Sequence, residues 1–393
     1  MHIIELTNKK EIASTMGLFF KRNTLSPTSI KLISKAMNEG ASPRVVSATV
    51  NRYINGKISE EDLEKDIENS IYKQDYDFIH DTYSIGKVVG IKNRGIEVKT
   101  DKVLKNIIFG VAFGDIVGSI YEFKYFDPNE LPDDLKECIE PHSRWTDDTL
   151  LTLSTLNVLK KDGDQLDSIY TNWLGNQDFH LGTNPFISFY KQSVRNYPDA
   201  GWGWHFAEWG KSDGAEPYKS YGDGAAMRVS LIGAWYSDPD QVVFTAAVSA
   251  AASHNHPEGI KGAVVSAACI WMALRGYTKE EICRYLQEHY RHNEYGFAEF
   301  SLDEIRTKIP EEKHDSSCMF AVPAAIICFL ESESYGDAIR NTCSFYGDTD
   351  TIAAIAGGIA AAYYGFPDRF KQIVEEKCVE ISHRRGPQPG LPR

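Results

Sequence analysis

The sequence contains no Cys-x-x-Cys pair, no apolar leader and no excess of basic charge, and each absence removes a class of protein. Its seven cysteines (Cys138, Cys269, Cys283, Cys318, Cys328, Cys343 and Cys378) are odd in number, and Cys269 and Cys328 lie inside apolar runs. That pattern fits buried free thiols in a reducing compartment, not a disulfide framework. The opening MHIIELTNKKEIAST has no apolar core of the kind a secretory signal requires, so a cytoplasmic location is expected. The run at 352–366 is rich in Gly and Ala and falls short of the roughly 18 residues of a membrane span, so no membrane association is expected. Lys and Arg number 42 against 55 Asp and Glu, a net charge of −13. Nucleic-acid binding needs a basic surface that releases counterions, so no nucleic-acid partner is expected.

What is present is an ordinary globular composition, 42% hydrophobic and 25% charged, in 393 residues. That length accommodates one large domain and a smaller module. Residues 1–100 are rich in Lys, Asn, Ile and Glu and poor in Gly, and read as a mainly helical N-terminal extension. Helices are expected in SPTSIKLISKAMNEG, ending at Gly40, and in SPRVVSATVNRYINGK, closed by Gly56. A third is expected from Ser59, which stands at capping-box spacing from Asp62. The stretch VVGIKNRGIEVKTD, 88–101, reads as a hairpin or linker. From 101 to 385 the pattern is long helices joined by Gly-rich turns, with few period-2 alternations, and the fold class expected is all-α. GAAMRVSLIGAWY is read as one of these helices, and 386–393 as a loose tail. Several helices are apolar nearly all round and belong in the interior of a compact multi-helix assembly.

Five stretches carry chemistry. GDTDT places Asp348, Asp350 and Thr351 before an Ala/Gly helix, and WTDDT places Thr146, Asp147 and Asp148 before another. Helix capping accounts for one acid at each start. A second acid beside the first repels it unless a cation lies between, and carboxylate and hydroxyl oxygens are the ligands that Mg²⁺, Mn²⁺ or Ca²⁺ prefer. Spacing alone leaves capping and metal binding both open. In GVAFGDIVGSIYEF, Gly110, Gly114 and Gly118 fall on one helix face, and Asp115 and Glu122 need partners because buried acids are rare without them. SYGDGAAMRVS has glycines at 222 and 224 leading into a helix, and helix N-termini bind phosphate. In SHNHPEG, His254 and His256 lack a third soft ligand nearby, which favours ligand-contacting or structural roles over a metal site.

Taken in order, GDIVGSIYE, WTDDT, GDGAAMRV, SHNHPEG and GDTDTIAAIAGGIAAAYYG resemble the ADP-ribosylglycohydrolase family over roughly residues 103–370. That family includes hydrolases that remove ADP-ribose from arginine or serine. The resemblance implies an all-α domain with a binuclear site for two Mg²⁺ or Mn²⁺ ions, held by Thr146, Asp147, Asp148, Asp348, Asp350 and Thr351. It implies water attack at the distal ribose C1″, with Glu122, Asp148 or Asp350 taking the proton. Ser220, Gly222, Asp223, Gly224 and His254 correspond to positions that contact ADP-ribose, with Asp223 standing where the family pattern usually has Asn. An ADP-ribosylated protein would be the substrate and ADP-ribose the product. Trp202 and Trp204, between the acid motifs, are placed either to stack on adenine or to fill the core. The extension is not needed by such a core. It is read as a packing appendage, or alternatively as a partner-binding arm of an immunity protein that counters an ADP-ribosylating toxin.

Overall fold

The computed structural model describes residues 25–38, 43–70, 100–124, 130–174, 184–290 and 315–385, apart from 133, 142 and 215. Among these residues the chain is all helical, and the β-structure is limited to an isolated bridge between Gly222 and Ser317. The hairpin or linker expected before Thr100 and the tail at 386–393 lie outside the described residues.

Three short helices come first, α1 (Pro27–Asn38), α2 (Pro43–Ile54) and α3 (Glu60–Ser70). Each is amphipathic, and together they bury Ile33, Val46, Val50, Leu63 and Ile67 in a small core of their own. Gly56 closes α2 with a φ of +70°, a conformation that costs glycine little. Ser59 and Asp62 form a reciprocal capping box: Asp62 N donates to Ser59 Oγ at 3.1 Å, and Ser59 N donates to Asp62 Oδ2 at 3.3 Å.

The site is positioned by two long helices, α4 (Asp101–Tyr121) and α15 (Thr349–Tyr364). Between them in sequence run α5 (Asp147–Lys161), α6 (Gly163–Leu174), α7 (Pro185–Asn196), α8 (Trp204–Lys211) and α9 (Ser230–Trp235). These are followed by α10 (Pro239–Ala251), α11 (Pro257–Leu274), α12 (Lys279–Tyr290), α13 (Cys318–Leu330) and α14 (Tyr335–Thr342); α16 (Asp368–Arg385) ends the described chain. Helix α4, not the run at 352–366, is long and apolar enough to cross a membrane, yet 72% of its apolar window is covered by the rest of the protein. It is the core helix of this fold.

The glycine stripe on α4 works by close approach. A Cβ at Gly110 would lie 2.5 Å from Ala361 Cβ, one at Gly114 would lie 2.1 Å from the Ala353 carbonyl oxygen, and one at Gly118 would lie 2.5 Å from Asp350 Cα. The α4 and α15 backbones therefore touch along three turns, and the register between them fixes where Asp115 and Asp350 stand. One expected helix is broken. GAAMRVSLIGAWY, with the Asp223 before it, forms a three-residue 3₁₀ turn at Asp223–Ala225 and then α9, with Arg228 in the break. The break turns the Arg228 guanidinium onto the C-terminal turn of α10, where it donates to Ser249 O at 2.8 Å.

Candidate active site

Helix capping does not account for the paired acids. Thr146 and Asp348 are the N-cap residues of α5 and α15, and neither side chain caps its own helix. The start of α5 is capped instead by Asp115, from α4. Its carboxylate accepts from Thr146 N at 2.8 Å, Thr146 Oγ1 at 2.9 Å, Thr149 N at 3.2 Å and Thr149 Oγ1 at 2.6 Å. These bonds are the partners that a buried acid requires. They also orient the Thr-Asp-Asp-Thr turn, so Asp148 faces α15.

The two helix starts meet. Thr351 Oγ1 donates to Asp148 Oδ2 at 3.3 Å, across 203 positions of sequence. Carboxylate oxygens of Asp115, Asp148 and Asp350 lie within 4.8 Å of one another, and so do those of Glu122, Asp348 and Asp350. Asp350 belongs to both groups. Glu122 is brought in by the end of α4, where Phe123 N donates to Gly347 O at 2.8 Å and so ties the helix to the start of α15. Phe123 adopts a φ of +48°, a left-handed backbone that costs a non-glycine residue about 1 kcal/mol or more. Thr146 lies in the same cluster through its hydroxyl, 3.1 Å from Asp148 Oδ2. Asp147 lines the same cavity, outside both tight groups.

The electrostatics are those of a site built for positive charge. Burial first, and repulsion from neighbouring carboxylates second, hold Asp147, Asp148 and Asp350 well above the usual carboxylate range. Asp115 is pushed up to about 6 by burial, opposed by its hydrogen bonds from Thr149 and Thr146. Burial and Asp348 raise Glu122 as well. Asp148 Oδ1 is buried without a hydrogen-bond partner. Carboxylate and hydroxyl oxygens crowded in this way fit a hard divalent cation, which would supply the missing partner.

The cluster forms the floor of a cavity of about 380 Å³, whose lining includes Ser220, Gly222, Asp223, Gly224 and His254. The glycine loop does not lead into a helix N-terminus as expected. Its Asp223 N–H is spent on Ser316 O at 2.9 Å, where the loop pairs with the segment before α13, and its Gly222 N–H on Ser220 Oγ at 3.0 Å within the loop. The Asp223 carboxyl is buried, its Oδ2 has no partner, and burial followed by Asp348 raises it well above the usual range. Asp223 therefore joins the crowded carboxyls of the floor, whose burial and mutual repulsion favour its neutral form.

His254, Asn255 and His256 have three separate tasks. His254 lines the cavity. Asn255 Oδ1 accepts from Lys219 N at 2.8 Å, holding that residue at a φ of +56°. His256 caps α11, its Nδ1 accepting from Glu258 N at 3.1 Å. Trp202 and Trp204 also differ: Trp202 donates to Tyr197 O at 2.6 Å and stacks on Phe206, whereas Trp204 is exposed at the cavity wall. Among the described residues the exposed large hydrophobics are Phe123 and Trp204, which line the cavity, and Tyr221, which packs edge-on against His256. No short-range pattern in the sequence marks Phe123 or the capping role of Asp115, because both depend on contacts between distant segments.

A family model for ADP-ribosylglycohydrolases matches residues 98–385. The chain belongs to this family. Mouse ADP-ribosylhydrolase ARH3 is 27% identical, over 69% of this chain and 87% of the relative. The ADP-ribosylarginine hydrolase Tri1 of Pseudomonas putida (strain GB-1) is 25% identical, over 69% of this chain and 73% of the relative. A solved chain of an ADP-ribosylglycohydrolase-related protein complex superimposes with a TM-score of 0.49 at 20% identity, covering 70% of this chain and 94% of that one. The protein is a hydrolase that acts on glycosidic linkages of ADP-ribose.

Proposed function

We propose that this enzyme releases ADP-ribose from arginine or serine side chains of modified proteins, with two Mg²⁺ or Mn²⁺ ions at the cavity floor. The observation that carries the reading is Asp350, shared by two carboxylate groups at the bottom of a ligand-sized cavity. Bound there, divalent cations supply the positive charge and Lewis acidity that the crowded acids lack. Thr146, Asp147, Asp148, Asp348, Asp350 and Thr351 are the residues that would hold them. Glu122, half-buried at the edge of the floor, or the carboxylate of Asp148 or Asp350 accepts the proton of the water that attacks ribose C1″. Their negative charge also stabilises the oxocarbenium-like transition state. The exposed face of Trp204 on the cavity wall offers a base a surface to stack on.

The test is release of ADP-ribose from arginine-linked and serine-linked modified proteins, with and without Mg²⁺ and Mn²⁺. Cation-dependent release from either linkage supports the reading and names the linkage. No release from either would overturn it.

The raised carboxylates give a pH dependence whose sign is fixed. An acid whose folded pKa is raised destabilises the folded state once pH exceeds its unfolded value, and the cost is largest above its folded value. Asp115, at about 6, and Asp148 and Asp350, both raised above the usual carboxylate range, therefore hold protons more tightly than ordinary carboxylates do, and a cation must displace those protons. The rise in melting temperature on adding Mn²⁺ should be larger at pH 8 than at pH 5.5. Thermal melts with an equal shift at both values would contradict the assignment.

We read residues 1–100 as an accessory unit, supported by the separate core of α1 to α3. A role in immunity against an ADP-ribosylating toxin is the alternative, and a toxin captured by the whole chain but lost on deleting 1–100 would favour it. The unpaired thiols of Cys138, Cys269, Cys283, Cys318, Cys328 and Cys343 support a cytoplasmic location.

A further inference from the structure

Arg228 is fully buried behind the cavity wall, 4.3 Å over the ring of Tyr190. It forms no ion pair with a carboxylate among the described residues, and burial lowers its pKa. Holding an unpaired cation out of water is costly, so its contacts bear on why it is there. Nη2 donates to Ser249 O at 2.8 Å and to Ser253 Oγ at 3.1 Å. The Ser253 hydroxyl, itself fully buried, also lies 2.8 Å from His254 Nδ1.

The direction of the first bond in this chain is determined, and it favours one direction for the second. A guanidinium has only donors, so Arg228 donates and Ser253 Oγ accepts. Among the described residues the side-chain acceptor within reach of the Ser253 proton is the Nδ1 lone pair of His254. A neutral imidazole that accepts at Nδ1 carries its proton on Nε2. Nε2 faces the glycine loop of the cavity, 3.1 Å from where a Cβ on Gly224 would stand and 3.6 Å from one on Gly222. Rings of Tyr218 and Phe206, at centroid distances of 5.5 Å and 6.0 Å, hold the imidazole plane. Burial and the nearby Arg228 cation also keep His254 neutral, its pKa well below the usual histidine value.

We propose that Arg228, acting through Ser253, is a positioning residue that fixes His254 as the Nε2–H tautomer, so that the cavity presents a neutral N–H donor to an oxygen of the bound ADP-ribose. The identity of the ligand rests on the function proposed above; the direction of the relay does not. A neutral donor beside an acidic floor suits a ribose or phosphate oxygen without competing for the carboxylates.

The test uses the full-length chain labelled with ¹⁵N-histidine, with the His254 signals assigned by their loss in His254→Gln. Imidazole NMR of the wild type should show Nδ1 unprotonated and Nε2 protonated at neutral pH. Ser253→Ala should lose that single tautomer. Its KM for the modified protein and its Kd for ADP-ribose should rise on the order of tenfold, with kcat within about twofold, as expected for one misdirected hydrogen bond. His254→Gln, whose amide can donate near the Nε2 position, should keep more affinity for ADP-ribose than His254→Ala. A proton on Nδ1 in the wild type overturns the proposal even if Ser253→Ala does not fold. Wild-type tautomer and affinity in Ser253→Ala overturn it as well. The Nε2–H tautomer in a wild type that binds no ADP-ribose supports the relay and removes only the ligand.

Discussion

Asp350→Ala should abolish turnover, lowering kcat by on the order of 10³-fold or more, while the helical core stays folded. Asp350 is the carboxylate shared by both oxygen clusters, so its loss disrupts both. The same variant should lose the stabilisation that Mg²⁺ or Mn²⁺ confers on the wild type, about 2.7 kcal/mol at a cation concentration 100 times Kd. Without cation the direction reverses. Burial and the charge of Asp348 hold Asp350 in an unfavourable state when ionised. The isosteric Asp350→Asn should therefore melt no lower than wild type in chelator, and higher at neutral pH, a trade of stability against function. Calorimetry with and without cation separates the cases. Wild-type cation stoichiometry in Asp350→Ala would remove this residue from the site.

Gly114→Ala should be the most damaging Gly→Ala change among the described glycines. The added carbon would lie 2.1 Å from the Ala353 carbonyl oxygen and 2.6 Å from its carbonyl carbon. Both are backbone atoms inside α15, so no side-chain rotation relieves the clash. Overpacking of this kind costs about 1–3 kcal/mol and sometimes more. The helices would have to separate, and Asp350 and Thr351 would move with α15, away from Asp148. Both melting temperature and activity should fall, and cation should recover less of either than in the wild type. Gly163→Ala is the matched control: nothing lies within 4 Å of its added carbon, and the position opens α6. It should be neutral or slightly stabilising. Equal melting temperatures for the two variants would show that the α4–α15 contact is not as close as described.

Much of the site was legible in the chain itself. The Gly-Asp-Thr-Asp-Thr and Thr-Asp-Asp-Thr turns announce themselves because two acids before an apolar helix are more than capping needs. The glycines at 110, 114 and 118 announce a close helix contact because i, i+4 spacing puts them on one face. The amphipathic helices α6, α7 and α8 and the largely polar helix α16 were harder to see. Their polar faces interrupt the apolar runs by which the buried helices are recognised, and α8 lies in a Trp- and Gly-rich stretch that resembles a loop.

Local residue types and spacing thus determined the all-α class, the acid turns and the glycine face, since capping, periodicity and small-residue spacing act over a few positions. Tertiary structure alone decided what those residues do. Asp115 became the cap of α5 because α4 passes beneath it, and Asp148 reached Thr351 across 203 positions. Asp223 turned to the acidic floor because its loop pairs with the segment before α13. His254 acquired its orientation from an arginine in the break before α9 and a serine at the end of α10. Hydrogen-bond direction and charge repulsion act over a few ångströms of space, and it is the packing of α4 against α15 that brings these groups within that range.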